Sequence, residues 1–297
     1  MKKMPLFSLI SAMSIFGTIG IFVNFIPFPS GFLATSRGVI GSLFVVLFLL
    51  ISHRGINFSA IKKNLPLLLI SGAFIGMNWM LLFEAYKKAG IPIATLCYYM
   101  SPLFVTFLSA IFFREKLTPK KIACVLVAVA GMFFVSGVIG GEIPKGSVLI
   151  GIILGLGAAI FYSCITLVNK KAKDISPLDM TAVQLFAAAV TIFPYSLICE
   201  DVSFVGVNFK AICFLIIVGV LHTGTAYIFY FTSVKHLPAS KVAIFSYLDP
   251  ILAILLSAII LKDDLSVFEI IGAIMILASA FVGEVNFKQI FAKKEKR

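Results

Sequence analysis

Long apolar runs alternate with short polar connections along the whole chain. A run of ~20 residues is long enough to cross a hydrocarbon core of ~30 Å as a helix. Ten such runs predict helices over 5–26, 32–52, 66–86, 92–113, 120–140, 147–169, 178–198, 211–232, 239–260 and 266–285. Pro27 and Pro29 interrupt the first turn, Pro66, Pro92 and Pro119 sit at predicted helix starts, and Pro144, Pro177 and Pro238 fall in connections. No connection is long enough for a soluble domain. The run after Met1-Lys2-Lys3 is too long for a signal-peptide core and ends in no small-x-small cleavage site, so it is read as the first span.

Composition agrees with the pattern. Of 297 residues, 60% are hydrophobic and 13% are charged. A soluble domain carries roughly 25% charged residues. That excludes an ordinary cytosolic enzyme, a disordered chain and a secreted disulfide scaffold. The net charge of +12 is explained by placement: nineteen of the 25 Lys and Arg residues fall on one side of the predicted spans. By the positive-inside rule both termini are expected in the cytoplasm of a cell (inner) membrane protein. The basic charge is then an orientation signal, and no nucleic-acid partner is expected.

The five cysteines are scattered without CxxC spacing, which argues for packing rather than bridges or metal ligation. Enzyme motifs are absent: there is no HExxH, GxSxG or Walker A, and Gly155-Leu156-Gly157 continues into Ala158-Ala159-Ile160 inside a span. No catalytic activity, metal or cofactor is expected.

The chain repeats itself. Shifted by 148 residues, 84–133 lies on 232–281 without a gap, matching Lys87 with Lys235, Tyr99 with Tyr247, Pro102 with Pro250 and Leu108-Ser109-Ala110-Ile111 with Leu256-Ser257-Ala258-Ile259. Each copy holds five predicted spans. Five is odd, so the second copy enters the membrane inverted. Inverted repeats accompany alternating access in secondary transporters, with the solute site near the midplane. The expected architecture is an all-α polytopic membrane protein of ten transmembrane helices in two inverted five-helix repeats, 1–143 and 144–287, with a basic cytoplasmic tail over 288–297.

Tyr-x-x-Pro recurs in the fourth and ninth spans, and an acidic-Leu-Thr/Ser turn follows each (Glu115-Lys116-Leu117-Thr118 and Asp263-Asp264-Leu265-Ser266). With the 5+5 arrangement and small-residue fifth and tenth spans, the chain resembles the EamA-type branch of the drug/metabolite transporter superfamily. The resemblance covers nearly the whole chain and implies a carrier, most often an exporter of amino acids or other metabolites. It also implies a central cavity lined by the third, fourth, eighth and ninth spans, helped by the first and sixth. Many relatives carry a Lys near the end of the first span. Asn24 stands there in this chain, so no role of that Lys carries over.

Ionisable residues deep in a span are costly and tend to face a bundle interior or a cavity. Asp249 lies ten residues into the ninth run, ~15 Å deep, and precedes Pro250, which frees a backbone carbonyl. Ser101-Pro102 is its counterpart in the repeat, so paired helix breaks are expected at Pro102 and Pro250. His222, eleven residues into the eighth run between Gly219 and Gly224, is at similar depth, and a His222–Asp249 pair is sterically plausible. Proton coupling, hydrogen bonding to a solute and a structural role all stay open for these two. Arg37 and Glu84 lie at the outer level and are a candidate pair, with structural, gating and anion-binding roles open. Asn78, Trp79, Tyr98, Ser101, Tyr227 and Tyr247 complete the cavity candidates, alongside Tyr99 and Tyr230, as polar-tipped groups too deep or too regularly spaced to be an interfacial belt alone. Gly72-x-x-x-Gly76 and Gly151-x-x-x-Gly155 read as packing notches.

The function expected is secondary transport of a small metabolite, most often outward. An uptake carrier or exchanger and a non-transporting lipid-handling or assembly protein are the alternatives. The expected partners are that metabolite, the lipid bilayer and, as candidate coupling ion, the proton; a homodimer is admissible.

Overall fold

The computed structural model describes residues 4–53, 55–114, 118–135, 146–204, 207–234, 236–237, 242, 245–263 and 265–284. The 115–117 turn, Pro144, Lys235, Pro238, Asp264 and the 288–297 tail lie outside the described residues.

Every regular element among the described residues is helical. The first half contributes α1 (Met4–Asn24), α2 (Ser30–Ile51), α3 (Phe58–Ala89), α4 (Ile91–Tyr98), α5 (Ser101–Phe113) and α6 (Pro119–Val135). The second contributes α7 (Gly146–Asn169), α8 (Pro177–Cys199), α9 (Phe209–Ile217), α10 (Ala226–Val234), α11 (Leu248–Leu256) and α12 (Val267–Glu284). A wide-turned π segment, Val218–Thr225, joins α9 to α10, and a second, Ser257–Leu261, extends α11.

Seven stretches are long and apolar enough to cross a membrane: Met4–Asn24, Ser30–Ile51, Phe58–Ala89, Ile91–Phe112, Gly146–Asn169, Pro177–Cys199 and Phe209–Ser233. Leu248–Leu261 and Val267–Gly283 are shorter apolar helices. Among the described residues the ten expected spans thus appear as seven long stretches plus shorter helices. The shorter ones, α6 included, adjoin residues outside the described set.

One expected helix start moves. The third helix starts eight residues before Pro66, because the Asn57 side chain caps it by accepting from the Ala60 amide at 3.0 Å. Residues 58–65 include Lys62, Lys63 and Asn64, so hydropathy alone begins the span too late. The fourth run is not one helix. α4 ends at Tyr98 and α5 begins at Ser101, since Pro102 has no amide to bond the Tyr98 carbonyl.

Polarity is arranged inside out. Large apolar side chains cover the exterior, among them Leu43, Leu47, Leu50, Phe186, Val190 and Ile198, whereas Ser71, Asn78, Ser163, Gln184 and Ser233 are buried. An apolar exterior of this extent needs a lipid solvent. Buried polar groups are satisfied between helices: Gln184 donates to Ser71 Oγ and Asn169 Oδ1, and Ser163 donates to the Ser101 carbonyl at 3.0 Å.

Packing follows a regular scheme. α1 packs on α10 and α11, while α7 packs on α3, α4 and α5. α2 packs on the π segment, while α8 packs on α3; α2 also meets α8, and α6 meets α12. Close approaches sit at glycines. A side chain at Gly72 would meet Gln184 and Ala187, and one at Gly155 would meet Cys97, so both expected notches are helix-packing positions. Gly219 and Gly224 likewise face Ile40 and Phe44 of α2 and not a cavity. Arg114 (φ 54°) and Lys262 (φ 59°) both leave their helices in the left-handed conformation.

Candidate functional site

A cavity of about 560 Å³ runs between the two halves. That volume lies within the roughly 300–1,000 Å³ of small-molecule sites. α1 supplies Met13, Phe16 and Ile19; α3 supplies Trp79, Leu82 and Tyr86. The break between α4 and α5 brings in Thr95, Tyr98, Tyr99, Ser101 and Pro102, and the equivalent break before α11 brings in Ser246, Tyr247 and Asp249. Tyr162, Tyr227 and Tyr230 complete an aromatic wall.

The two breaks face each other. The rings of Tyr99 and Tyr247 are 6.4 Å apart between centroids. The Tyr99 hydroxyl donates to Asp249 Oδ2 at 2.7 Å and lies 3.4 Å from the Ser246 carbonyl. Pro250 has no amide to bond that carbonyl, four residues back, so Tyr99 borders both a freed backbone group and the acid beside it.

Arg37 enters the cavity from α2. It is 4% exposed, and its Nε donates to Thr223 Oγ1 at 2.6 Å. The guanidinium lies over the Trp79 ring, 3.9 Å from its centroid. The π segment places Thr223: its hydroxyl donates to the Val218 carbonyl five residues back, at 3.0 Å, and so presents its oxygen to Arg37.

The cavity therefore gathers Trp79, Tyr98, Ser101, Tyr227, Tyr247, Asp249 and Arg37, as well as Pro102, from the sequence-derived candidates. Asn78, His222 and Glu84 are not part of it. Asn78, 1% exposed, donates to the Ala158 carbonyl at 2.6 Å and ties α3 to α7. It points away from Trp79 because consecutive helical residues lie about 100° apart.

His222 is 0% exposed and sits behind α1. Its Nε2 is 2.8 Å from Thr18 Oγ1, and its ring packs 4.8 Å from that of Phe22. The Thr18 hydroxyl also lies 2.8 Å from the Ile15 carbonyl, one turn back in α1. The His222–Asp249 pair does not form: the two lie at similar height, but α1 stands between them, with Thr18 on His222 and Gly17 against the Asp249 backbone. The Arg37–Glu84 pair does not form either. Glu84 accepts from Ser30 Oγ at 2.9 Å and lies 3.7 Å from Lys88 Nζ and 4.0 Å from Lys87 Nζ. Ser30 is seven residues before Arg37, which at 1.5 Å per residue is about 10 Å along the helix.

The end of the cavity near Glu84 is covered. Glu200, just past α8, accepts from the Gly31 amide at 2.7 Å and the Phe32 amide at 2.8 Å, capping the start of α2. Lys87 donates to the Phe28 carbonyl at 3.0 Å, and Phe28, Phe32 and Phe204 pack edge to face or tilted above. Toward the opposite end the lining is less covered: Tyr162 is 40% exposed and Thr166, near the end of α7, is exposed.

Reasoning from sequence missed Tyr86, Thr223, Tyr162 and Glu200. Tyr86 had a signal, lying seven residues after Trp79 on the same helical face. Glu200 lies at a span end, where an acid is unremarkable. Nothing in the sequence marks Thr223 or Tyr162.

An apolar-surfaced helical bundle with an interior cavity between broken helices defines the class as a membrane protein. The sequence profile of the EamA-like transporter family matches the chain twice, over residues 3–137 and 149–283. The chain belongs to that family. It is 27% identical over 277 residues to the uncharacterized transporter YxxF of Bacillus subtilis, covering 93% of this chain and 88% of that one. It is 26% identical over 254 residues to a probable amino-acid metabolite efflux pump of Salmonella typhimurium, covering 81% of this chain and 84% of that one. A solved crystal structure shares the fold, with a TM-score of 0.68 at 18% identity, covering 95% of this chain and 98% of that chain.

Proposed function

We propose that this transporter is a secondary carrier that exports a small amino-acid-like metabolite by alternating access. In this reading its chain forms ten spans in two inverted repeats, 1–143 and 144–287, in the cell membrane, with both termini and the 288–297 tail cytoplasmic. The observation that carries the proposal is the pair of facing helix breaks at Tyr99 and Tyr247 in the wall of one cavity. Discontinuous helices at matching positions of two halves mark solute sites in inverted-repeat carriers.

Further support comes from symmetry. Exchanging the halves turns the contacts of α1 with α10 and α11 into those of α7 with α3, α4 and α5. The same exchange turns α2 on the π segment into α8 on α3 and leaves α2–α8 and α6–α12 unchanged. The left-handed helix ends at Arg114 and Lys262 are 148 residues apart, as are the breaks. The relative's printed name supports the amino-acid-like solute.

With the termini cytoplasmic, the less covered end at Thr166 faces the cytoplasm and the end under Glu200 faces out, a form ready to load from inside. Release outward then requires Glu200 to let go of α2. Asp249 is the coupling residue in this account, being the one acid among the described cavity-lining residues. Export of labelled amino acids from preloaded proteoliposomes, with and without an imposed pH gradient, tests the proposal. Saturable efflux that responds to the gradient supports it. Efflux equal to that of protein-free vesicles refutes it.

A further inference from the structure

Resting on the reading of the cavity as a solute site, we infer that the terminal amino groups of Arg37 seat a carboxylate of the solute. Arg37 is the one cation among the described lining residues, and it is almost wholly buried. Among the described residues no carboxylate lies within ion-pair range of it, and its single hydrogen bond, to Thr223, uses Nε. The remaining four N–H donors, on the two terminal nitrogens, have no partner among the described residues. Those donors face the cavity, and a guanidinium in a largely aromatic cavity favours an anion beside it.

The geometry is prepared for one. Trp79 fixes the guanidinium plane from one face and Thr223 fixes its Nε edge, so the terminal fork is held in place. A planar fork matches a carboxylate through two parallel hydrogen bonds. The balance of charge favours a carboxylate over a phosphate dianion. Among the described lining residues Arg37 and Asp249 are the charged ones, of opposite sign, so a second negative charge on the solute would meet no further cation among them and would face Asp249. A solute with one carboxylate, and an amine near Asp249, leaves neither charge unpaired. The tyrosines at 86, 98 and 227 line the same space and supply apolar walls with hydroxyl tips.

Trp79 is the only tryptophan of the chain, so its fluorescence reports on this position alone. The experiment titrates purified full-length protein, in a neutral detergent, with L-leucine and L-phenylalanine, with their carboxamides, and with inorganic phosphate. Saturable perturbation of Trp79 by the acids, with the carboxamides about tenfold or more weaker, is the expected result. Arg37→Gln should remove the difference between acid and amide. Arg37→Lys, which keeps the charge and loses the fork, should retain part of it, and it stands in should the Gln variant fail to fold by thermal unfolding. Equal binding of acid and amide overturns the inference. So does discrimination that persists in Arg37→Gln, phosphate acting as strongly as leucine, or no response to any probe. The transport reading fails separately: acids that perturb Trp79 but are never carried across a membrane would sink the carrier function and leave the carboxylate seat standing.

Discussion

Replacing Glu200 by alanine should open the covered end of the cavity. Glu200 reaches across 169 residues to accept two amides at the start of α2, the Gly31 amide at 2.7 Å and the Phe32 amide at 2.8 Å. Pro29, at the N-cap position, supplies no side-chain bond, so these amides depend on Glu200 for a carboxylate partner. Losing a side-chain cap costs about 0.5–2 kcal/mol, and the negative charge also faces the positive end of the helix dipole. Two amides on a half-exposed carboxylate give about 2 kcal/mol, a factor of about 30 in an equilibrium between covered and uncovered forms. The readout is a cysteine at Leu82, which is buried and lines the cavity. Cys199 and Cys213 are first replaced by serine, because Cys199 is exposed beside Glu200 and Cys213 is partly so. A membrane-impermeant maleimide is applied from the side that carries Glu200. Labelling should accelerate about 30-fold in Glu200→Ala, and less in Glu200→Gln, which keeps one carbonyl acceptor. An unchanged rate in a variant of unchanged melting temperature would mean that the cap persists in every conformation and gates nothing.

Other consequences follow from the same contacts. A side chain at Gly76 would meet Ile192 Cγ1 at 2.7 Å and the Ala188 carbonyl at 2.8 Å, so Gly76→Leu should force α3 from α8 and cost about 1–3 kcal/mol, seen as a lower Tm in detergent. Tyr99→Phe removes a hydrogen bond to a carboxylate, worth about 1.5–3 kcal/mol, and should lower Tm in detergent by several degrees as well as slow solute exchange. His222 and Asp249 should separate cleanly. Asp249→Asn should make flux insensitive to an imposed pH gradient, whereas His222→Gln should lower stability through the Thr18 contact and leave that response intact. A pH response lost in His222→Gln and kept in Asp249→Asn would reverse the assignment.

The helical pattern and the two breaks were legible because proline and hydrophobic run length act locally: Pro102 and Pro250 dictate where carbonyls go unpaired whatever surrounds them. Depth was legible too, since rise per residue places Asp249 and His222 near one level. What sequence could not supply was azimuth, the direction each residue faces around its helix. Asn78 and Trp79 are neighbours, yet one ties α3 to α7 and the other holds Arg37. Arg37 and Glu84 differ in height by about two helical turns, and each found a nearer partner, Thr223 and Ser30. The π segment carries no sequence mark, and it is what turns the Thr223 oxygen toward Arg37.

The central claim is that solute passes through the cavity between the Tyr99 and Tyr247 breaks. Thr106 lines that cavity and is half-buried toward its less covered end, so Thr106→Trp fills the space without breaking a described hydrogen bond. The measurement is counterflow of labelled L-leucine and L-phenylalanine in proteoliposomes, wild type against Thr106→Trp of matched melting temperature. The account predicts saturable exchange in the wild type and its loss in the variant. Exchange that continues undiminished past the filled cavity would contradict it.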